Sequence, residues 1–210
     1  MPGFDILIAF VIATAVFAYM PGPAMLYATA QTLARGRKAG WMAALGIHIG
    51  GYAHVAAASL GLAVLFQAIP PLYLTLKIAG AAYLIWLGFK MLRSRQSLSA
   101  LNLTVEAKSA KRAFWESVTV EVLNPKTAIF FVAFLPQFTD PSASLPIWAQ
   151  LIVLGTAVNV IFSSADVACV LLAARVSGAL QRSQKAGQRM QRLGGGILIA
   201  LGLNIALQRS

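Results

Sequence analysis

The sequence predicts an all-α, polytopic membrane protein with six transmembrane helices in a 3+3 inverted-repeat arrangement and breaks in helices 1 and 4. Three observations carry this. The 210 residues are 59% hydrophobic and 11% charged, with a mean hydropathy of +0.74, whereas soluble domains carry about 25% charged residues. Uncharged runs exceed the ~18 residues that mark a membrane span. The basic residues are also clustered: Arg35, Arg37 and Lys38; then Lys90, Arg93, Arg95, Lys108, Lys111 and Arg112; then Arg175, Arg182, Lys185, Arg189 and Arg192. These 14 of 17 basic residues lie in three loops that alternate with loops carrying none. This is the positive-inside pattern, so the net charge of +11 is topogenic and does not indicate nucleic-acid binding.

Span one covers roughly Ile6 to Tyr27, inside a 29-residue uncharged run between Asp5 and Arg35. Met1–Asp5 has no Lys or Arg and the basic cluster follows the run, which argues against a cleaved signal peptide and places the N-terminus outside. Residues 41–76 hold no charge over 36 positions, too many for one helix, and Ile69-Pro70-Pro71 divides them. That gives span two at about Met42–Phe66 and span three at about Leu72–Met91. Residues 93–113, polar and rich in Ser and Lys, read as a cytoplasmic connector between a first half (1–92) and a second half (114–210) of one transporter domain. Span four runs from about Phe114 to Phe138 and span five from about Pro146 to Ala174, with Asp140-Pro141-Ser142 as the turn between them. A basic linker, Arg175–Arg192, leads to span six at about Leu193–Leu207. Its 16 uncharged residues make only ~24 Å of helix against a ~30 Å hydrocarbon core. Six spans put both termini outside, and three spans per half force the halves into opposite orientations.

Met20-Pro21-Gly22-Pro23 organises the first half. Proline lacks an N–H and clashes with the carbonyl four residues back, so the helix breaks. Lipid offers the freed carbonyls no partner, so a break at membrane depth belongs beside protein or a water-filled cavity. Asn124-Pro125-Lys126 repeats the interruption in the second half, and paired interruptions point to a transporter's binding site.

Ionisable and polar residues inside the spans are the remaining candidates. Asp166 lies midway along span five, where an acid is costly unless it faces the bundle interior. Asn159, Ser163 and Asp166 fall at i, i+4 and i+7, on one helical face. They line a pathway or hydrogen-bond one helix to another. Glu121 and Lys126 flank the second break, about 140° apart on a regular helix. Lys126 offers a cation to a substrate carboxylate or snorkels to the interface, while Glu121 lies nearer the cytoplasmic end, where it is interfacial or joins Asp166 and His54 as a proton-coupling residue. Gly46, Gly50 and His54 form a small-small-polar row that lets a neighbouring helix approach; His54 is either a satisfied buried histidine or part of a proton relay. His48 lies off that row and takes no assignment. Gly80, Gly88, Gly194-Gly195-Gly196 and Gly202 are packing positions that fit internal contacts or a homo-oligomer. Trp41, Tyr73, Trp115 and Trp148 fall near span ends, as interfacial aromatics do.

There is no His-Glu-x-x-His, Gly-x-Ser-x-Gly or Walker loop, and Cys169 is the single cysteine, so no enzyme constellation, cofactor site or metal centre is expected. Any pumping would draw on an ion gradient. Pro21-Gly22-Pro23, Ala34-Arg35-Gly36-Arg37-Lys38-Ala39-Gly40 and Ala44-Leu45-Gly46 resemble the first-half signature of the LysE/RhtB family of amino-acid exporters. Lys77-x-x-Gly80-Ala81-Ala82-Tyr83-Leu84, Asn124-Pro125-Lys126-Thr127-Ala128 with Phe134-Leu135-Pro136-Gln137-Phe138, and Gly194-Gly195-x-x-Leu198 resemble its third, fourth and last spans. The resemblance implies efflux of amino acids across the bacterial inner membrane, coupled to proton motive force. It carries a substrate-binding role to Gly22, Pro23, Asn124, Pro125 and Lys126, and a fifth-span acid to Asp166.

The mechanism expected from these residues has the two breaks facing each other near mid-membrane. Half-helix N-termini and Lys126 hold the substrate carboxylate, and Asp166 takes the substrate ammonium or a proton in turn. A divalent-metal exporter using Asp166, His54 and Glu121 is the alternative; the lack of His-rich or Cys-rich loops counts against it.

Overall fold

The structure is a computed structural model that describes residues 4–69 and 110–182 continuously, together with positions 71, 75, 78–79, 81–82, 85–86, 89, 92–93, 192, 196, 199–200 and 203. Apart from those single positions, spans three and six and the connector up to 109 lie outside the described residues. The described residues form helices joined by short turns, with no strand among them.

Helix α1 (Phe4–Ala18) and helix α2 (Pro23–Arg35) meet at Tyr19–Gly22 and are bent by 49°. Helix α3 (Arg37–Ala56) continues through a π-helical stretch, Ala57–Leu62, into α4 (Ala63–Ala68). Within that stretch the Ser59 hydroxyl donates to the carbonyls of Val55 (2.7 Å) and Ala56 (3.3 Å), and such back-bonding competes with the helical ladder. Helix α5 (Ala110–Val122) and helix α6 (Pro125–Phe134) are bent by 44° at Leu123-Asn124, and a 3-10 turn, Leu135–Phe138, closes α6. Helix α7 (Ile147–Arg182) is one 36-residue helix.

By length and composition, Arg37–Leu62 and Ile147–Ala173 are each long and apolar enough to cross a membrane, and each bent pair passes the same test taken together, as one broken span or as a re-entrant loop. The first bent pair reaches Arg35, eight residues beyond the expected end of span one at Tyr27. Pro23 starts a new helix at its first position, where a missing N–H is not needed. That helix stops only at Gly36, whose φ of +81° suits a residue without a side chain. Arg35, Arg37 and Lys38 therefore lie on a helix-to-helix hinge and on the helix ends beside it.

Two cores hold the bundle. The first is aromatic: Phe10, Phe17, Phe130, Phe134 and Phe138 run along α1 and α6 with ring centroids 4.2–5.7 Å apart. Such offset contacts add about 0.5–1.5 kcal/mol each beyond area burial. Leu151, Leu154 and Val158 of α7 and Ala81 complete this core. The second core is built of small residues, with Ala24 and Ala28 of α2, Ala43, Ala44 and Ile47 of α3, and Val170 of α7. Close approach continues along α3. A Cβ on Gly46 would collide with the Phe114 carbonyl and Ser117 of α5, and one on Gly50 would press on Glu121 and the Val118 carbonyl. The Gly46–Gly50–His54 row thus faces α5.

Candidate functional site

Between the two cores lies an open cleft, about 400 Å³ when the open space at its mouth is counted. Gly22, Glu121, Asn124, Lys126, Asn159, Ser163 and Asp166 line it, with Ala18, Ala24, Met25, Ile47, Thr127 and Phe162. Seven of the eleven candidate residues therefore meet in one place. Pro21, Pro23 and Pro125 flank the cleft within the two breaks, and His54 stands behind Glu121.

The breaks answer the same difficulty in parallel ways. In a continuous helix the Phe17 carbonyl would accept from residue 21, and the Glu121 carbonyl from residue 125; both are prolines. The Phe17 oxygen instead takes the Met20 N–H (3.3 Å) and the Lys126 ammonium (3.1 Å). The Glu121 oxygen takes the Asn124 N–H (2.9 Å) and His54 Nε2 (2.7 Å). Each freed carbonyl thus gains a short i→i+3 bond and a basic side chain from another helix. His54 Nε2 faces a carbonyl, so that nitrogen carries the proton. Lys126 also donates to the Met20 carbonyl at 2.6 Å and stands 4.6 Å from the centre of the Phe17 ring. A cation on the last carbonyls of α1 meets the negative end of that helix.

The N-terminal sides of the breaks differ. Asn124 caps α6, its side-chain oxygen accepting from the Lys126 backbone N–H at 3.1 Å, while its Nδ2 donates to a Glu121 carboxylate oxygen at 3.0 Å. Gly22 precedes α2 with no side-chain cap, and Gly22, Ala24 and Met25 all border the cleft. Glycine leaves room there for Lys126: a Cβ would lie 2.8 Å from its Cδ, so the lysine side chain would have to shift.

The stripe on α7 faces the cleft as one unit. Ser163 donates to the Asn159 carbonyl (2.8 Å) and accepts from His48 Nδ1 (2.6 Å), while Asn159 Nδ2 donates to the His48 carbonyl (3.1 Å). A Cβ on Gly51 would collide with the Asn159 side chain. His48, left without a role by the sequence, is thus what fixes this face of α7 against α3. The face shared by His48 and Gly51, three residues apart, was the available signal. Asp166 is 5% exposed; among the described residues no direct hydrogen bond or ion pair reaches its carboxylate, and the Lys126 ammonium on the same cleft acts on it only through its charge. Such a group is costly without a partner.

No three His, Cys, Asp or Glu side chains among the described residues come together as a metal-binding group. His54, one member of the expected metal set, has its Nε2 engaged by a carbonyl. The metal-export alternative gains no support from this geometry.

Beyond the cleft, on the side of α2 and α5, Tyr27 donates to Glu116 at 2.9 Å and Arg112 pairs with the other oxygen of that carboxylate at 2.9 Å. This contact joins α2 to α5, as the phenylalanines join α1 to α6.

Comparison with known proteins places the chain. The family described as "LysE type translocator" matches residues 15–209. An uncharacterized membrane protein of Vibrio cholerae is 29% identical over 203 residues, 97% of each chain. A homoserine/homoserine lactone efflux protein of Salmonella typhi is 26% identical over 201 residues, 96% of each chain. A leucine efflux protein of Klebsiella pneumoniae is 34% identical over 127 residues, 60% of each chain. No solved structure matches.

Proposed function

The chain belongs to the LysE type translocators, and we propose that it exports amino acids from the cytoplasm by proton exchange, with Asp166 as the coupling group. The observation that carries this reading is the buried Asp166 carboxylate, which makes no direct hydrogen bond or ion pair among the described residues and feels the Lys126 charge across a cleft shared by both helix breaks. An ammonium and a proton are the two cations that satisfy such a group in turn. Because they exclude one another, each crossing of cargo is tied to a return of protons.

The relatives' cargoes fit this anchor. Leucine, homoserine and a homoserine lactone share an ammonium, but the lactone has no free carboxylate. The ammonium is therefore the feature an exporter of this kind must hold. Where a carboxylate is present, the uncapped N-terminus of α2 offers it backbone N–H groups and the positive end of a helix. Asn159 and Ser163 supply polar contacts alongside, and Ala18, Ala24, Ile47 and Phe162 accept an apolar side chain.

The six-span architecture with inverted halves, both termini outside, in a bacterial inner membrane, is part of the same proposal. Its support is the alternation of basic clusters and the matched bonding at Pro21 and Pro125, which is what quasi-equivalent positions in two inverted halves would give. Rocking of the halves would open the cleft on one side through the Tyr27–Glu116 contact and on the other through the phenylalanines.

The test is growth of an exporter-deficient strain carrying this gene on inhibitory levels of leucine, homoserine and other amino acids, with Asp166→Asn alongside. Resistance to one or more amino acids that disappears in the variant is the expected result. Resistance retained by Asp166→Asn contradicts the coupling role, and tolerance of metal salts alone contradicts amino-acid export.

A further inference from the structure

We infer that Lys126 is a positioning residue, a clasp that joins the two helix breaks, and not the ligand of the cargo carboxylate. Its ammonium has three N–H groups, and it reaches the Phe17 and Met20 carbonyls at 3.1 and 2.6 Å. Those carbonyls belong to the last turn of α1 and the break that follows, and Lys126 stands at the start of α6. The ammonium therefore bridges the first broken span to the second, 109 positions away in the chain. Its position over the Phe17 ring and the space left by Gly22 hold the side chain in this path.

Pro21 gives the clasp its place. It withholds the N–H that the Phe17 carbonyl would otherwise receive, leaving only the 3.3 Å bond from the Met20 N–H, and a freed carbonyl at membrane depth finds its further partner in protein or in the cleft. A charged donor is the strongest available substitute. A carboxylate drawing the ammonium away would take that donor from the Met20 carbonyl and leave the Phe17 carbonyl only its bond from the Met20 N–H, so cargo binding at Lys126 would loosen the joint that aligns the cleft. This inference rests on the proposed export function and fixes the role of one residue within it.

The test uses the full protein in liposomes, with export of leucine and of leucinamide, which keeps the ammonium but has no carboxylate. Lys126→Met retains the packing of the stem and removes the donors, and Lys126→Arg retains donors. The clasp predicts that Lys126→Met lowers the maximal export rate of both cargoes by about tenfold or more with the KM for leucine little changed, and that Lys126→Arg keeps most of the rate. A Lys126→Met protein with a raised KM for leucine and unchanged leucinamide export overturns the inference. If leucinamide is not carried, the division between rate and KM on leucine alone decides in the same way. If Lys126→Met does not accumulate in membranes, the Pro21→Ala background decides. Replacing the proline restores a backbone N–H at position 21 for the Phe17 carbonyl, so recovery of the double variant supports the clasp and no recovery overturns it. A wild-type protein that moves neither compound refutes the export reading itself, a result distinct from any of these.

Discussion

The two breaks share one solution for the carbonyls they free and differ in how the next helix begins. At both, a carbonyl facing a proline takes an i→i+3 N–H and a basic side chain from across the bundle. At Asn124 the following helix is closed by a side-chain cap, which also ties down Glu121. At Gly22 it is left open against the cleft. One break is therefore finished as structure, and the other keeps an uncapped helix start beside the cleft. The two acids divide in the same way: Glu121 is held by a direct hydrogen bond from Asn124, whereas no direct bond to Asp166 is found among the described residues and Lys126 acts on it only through its charge.

Changes that make the breaks more alike test this difference. The largest effect is expected at Gly22. Gly22→Ser supplies a capping hydroxyl and Gly22→Ala supplies only the Cβ that crowds Lys126, so the pair separates capping from crowding. Both should lower export by roughly tenfold or more, the equivalent of ~1.4 kcal/mol, and the serine variant should be the more stable of the two to thermal unfolding while exporting no better. Asn124→Ala opens the second break. The loss of an N-cap costs about 1 kcal/mol, seen as a lowered unfolding temperature in detergent, with export reduced far less than by Gly22→Ser.

Smaller changes sharpen the contrast between the acids and between the caps. Glu121→Gln keeps an oxygen for Asn124 to donate to, so export assayed in vesicles should stay within about threefold of wild type, below the ~0.7 kcal/mol that such a factor represents. His54→Gln keeps an N–H for the Glu121 carbonyl, whereas His54→Leu leaves it without that donor at a cost of about 1–3 kcal/mol. If His54 serves only as a cap, the glutamine variant preserves the pH profile of export; a flattened profile makes it part of the proton path. Tyr27→Phe removes one hydrogen bond at a partly exposed carboxylate and should shift stability by no more than about 1 kcal/mol.

Much of this was legible in the sequence. Pro21-Gly22-Pro23 and Asn124-Pro125 mark the breaks because proline's missing N–H acts locally. The spacing of Asn159, Ser163 and Asp166 places them on one face because helical periodicity is local too. The partners of the freed carbonyls were not legible. Lys126 reaches Phe17 across 109 positions, and His54 reaches Glu121 across 67. No spacing rule links residues that only packing brings together, so Lys126 read equally as a ligand or an interfacial cation. His48 was missed for a related reason. The row of Gly46, Gly50 and His54 marks the face of α3 toward α5, while His48 and Gly51 serve the face toward α7. The helix limits slipped where a proline starts a helix as well as ending one, which carried α2 on to Arg35.

The most direct test asks which break the cargo touches. Met25 lies in the first turn of α2 and Ala128 in the first turn of α6. Single cysteines at these positions, in a protein whose one native thiol is removed by Cys169→Ser, are alkylated in membranes with and without saturating cargo from the growth screen. The account predicts that cargo slows alkylation of Met25→Cys and leaves Ala128→Cys unchanged. Protection at Ala128→Cys, or equal protection at both, would contradict it.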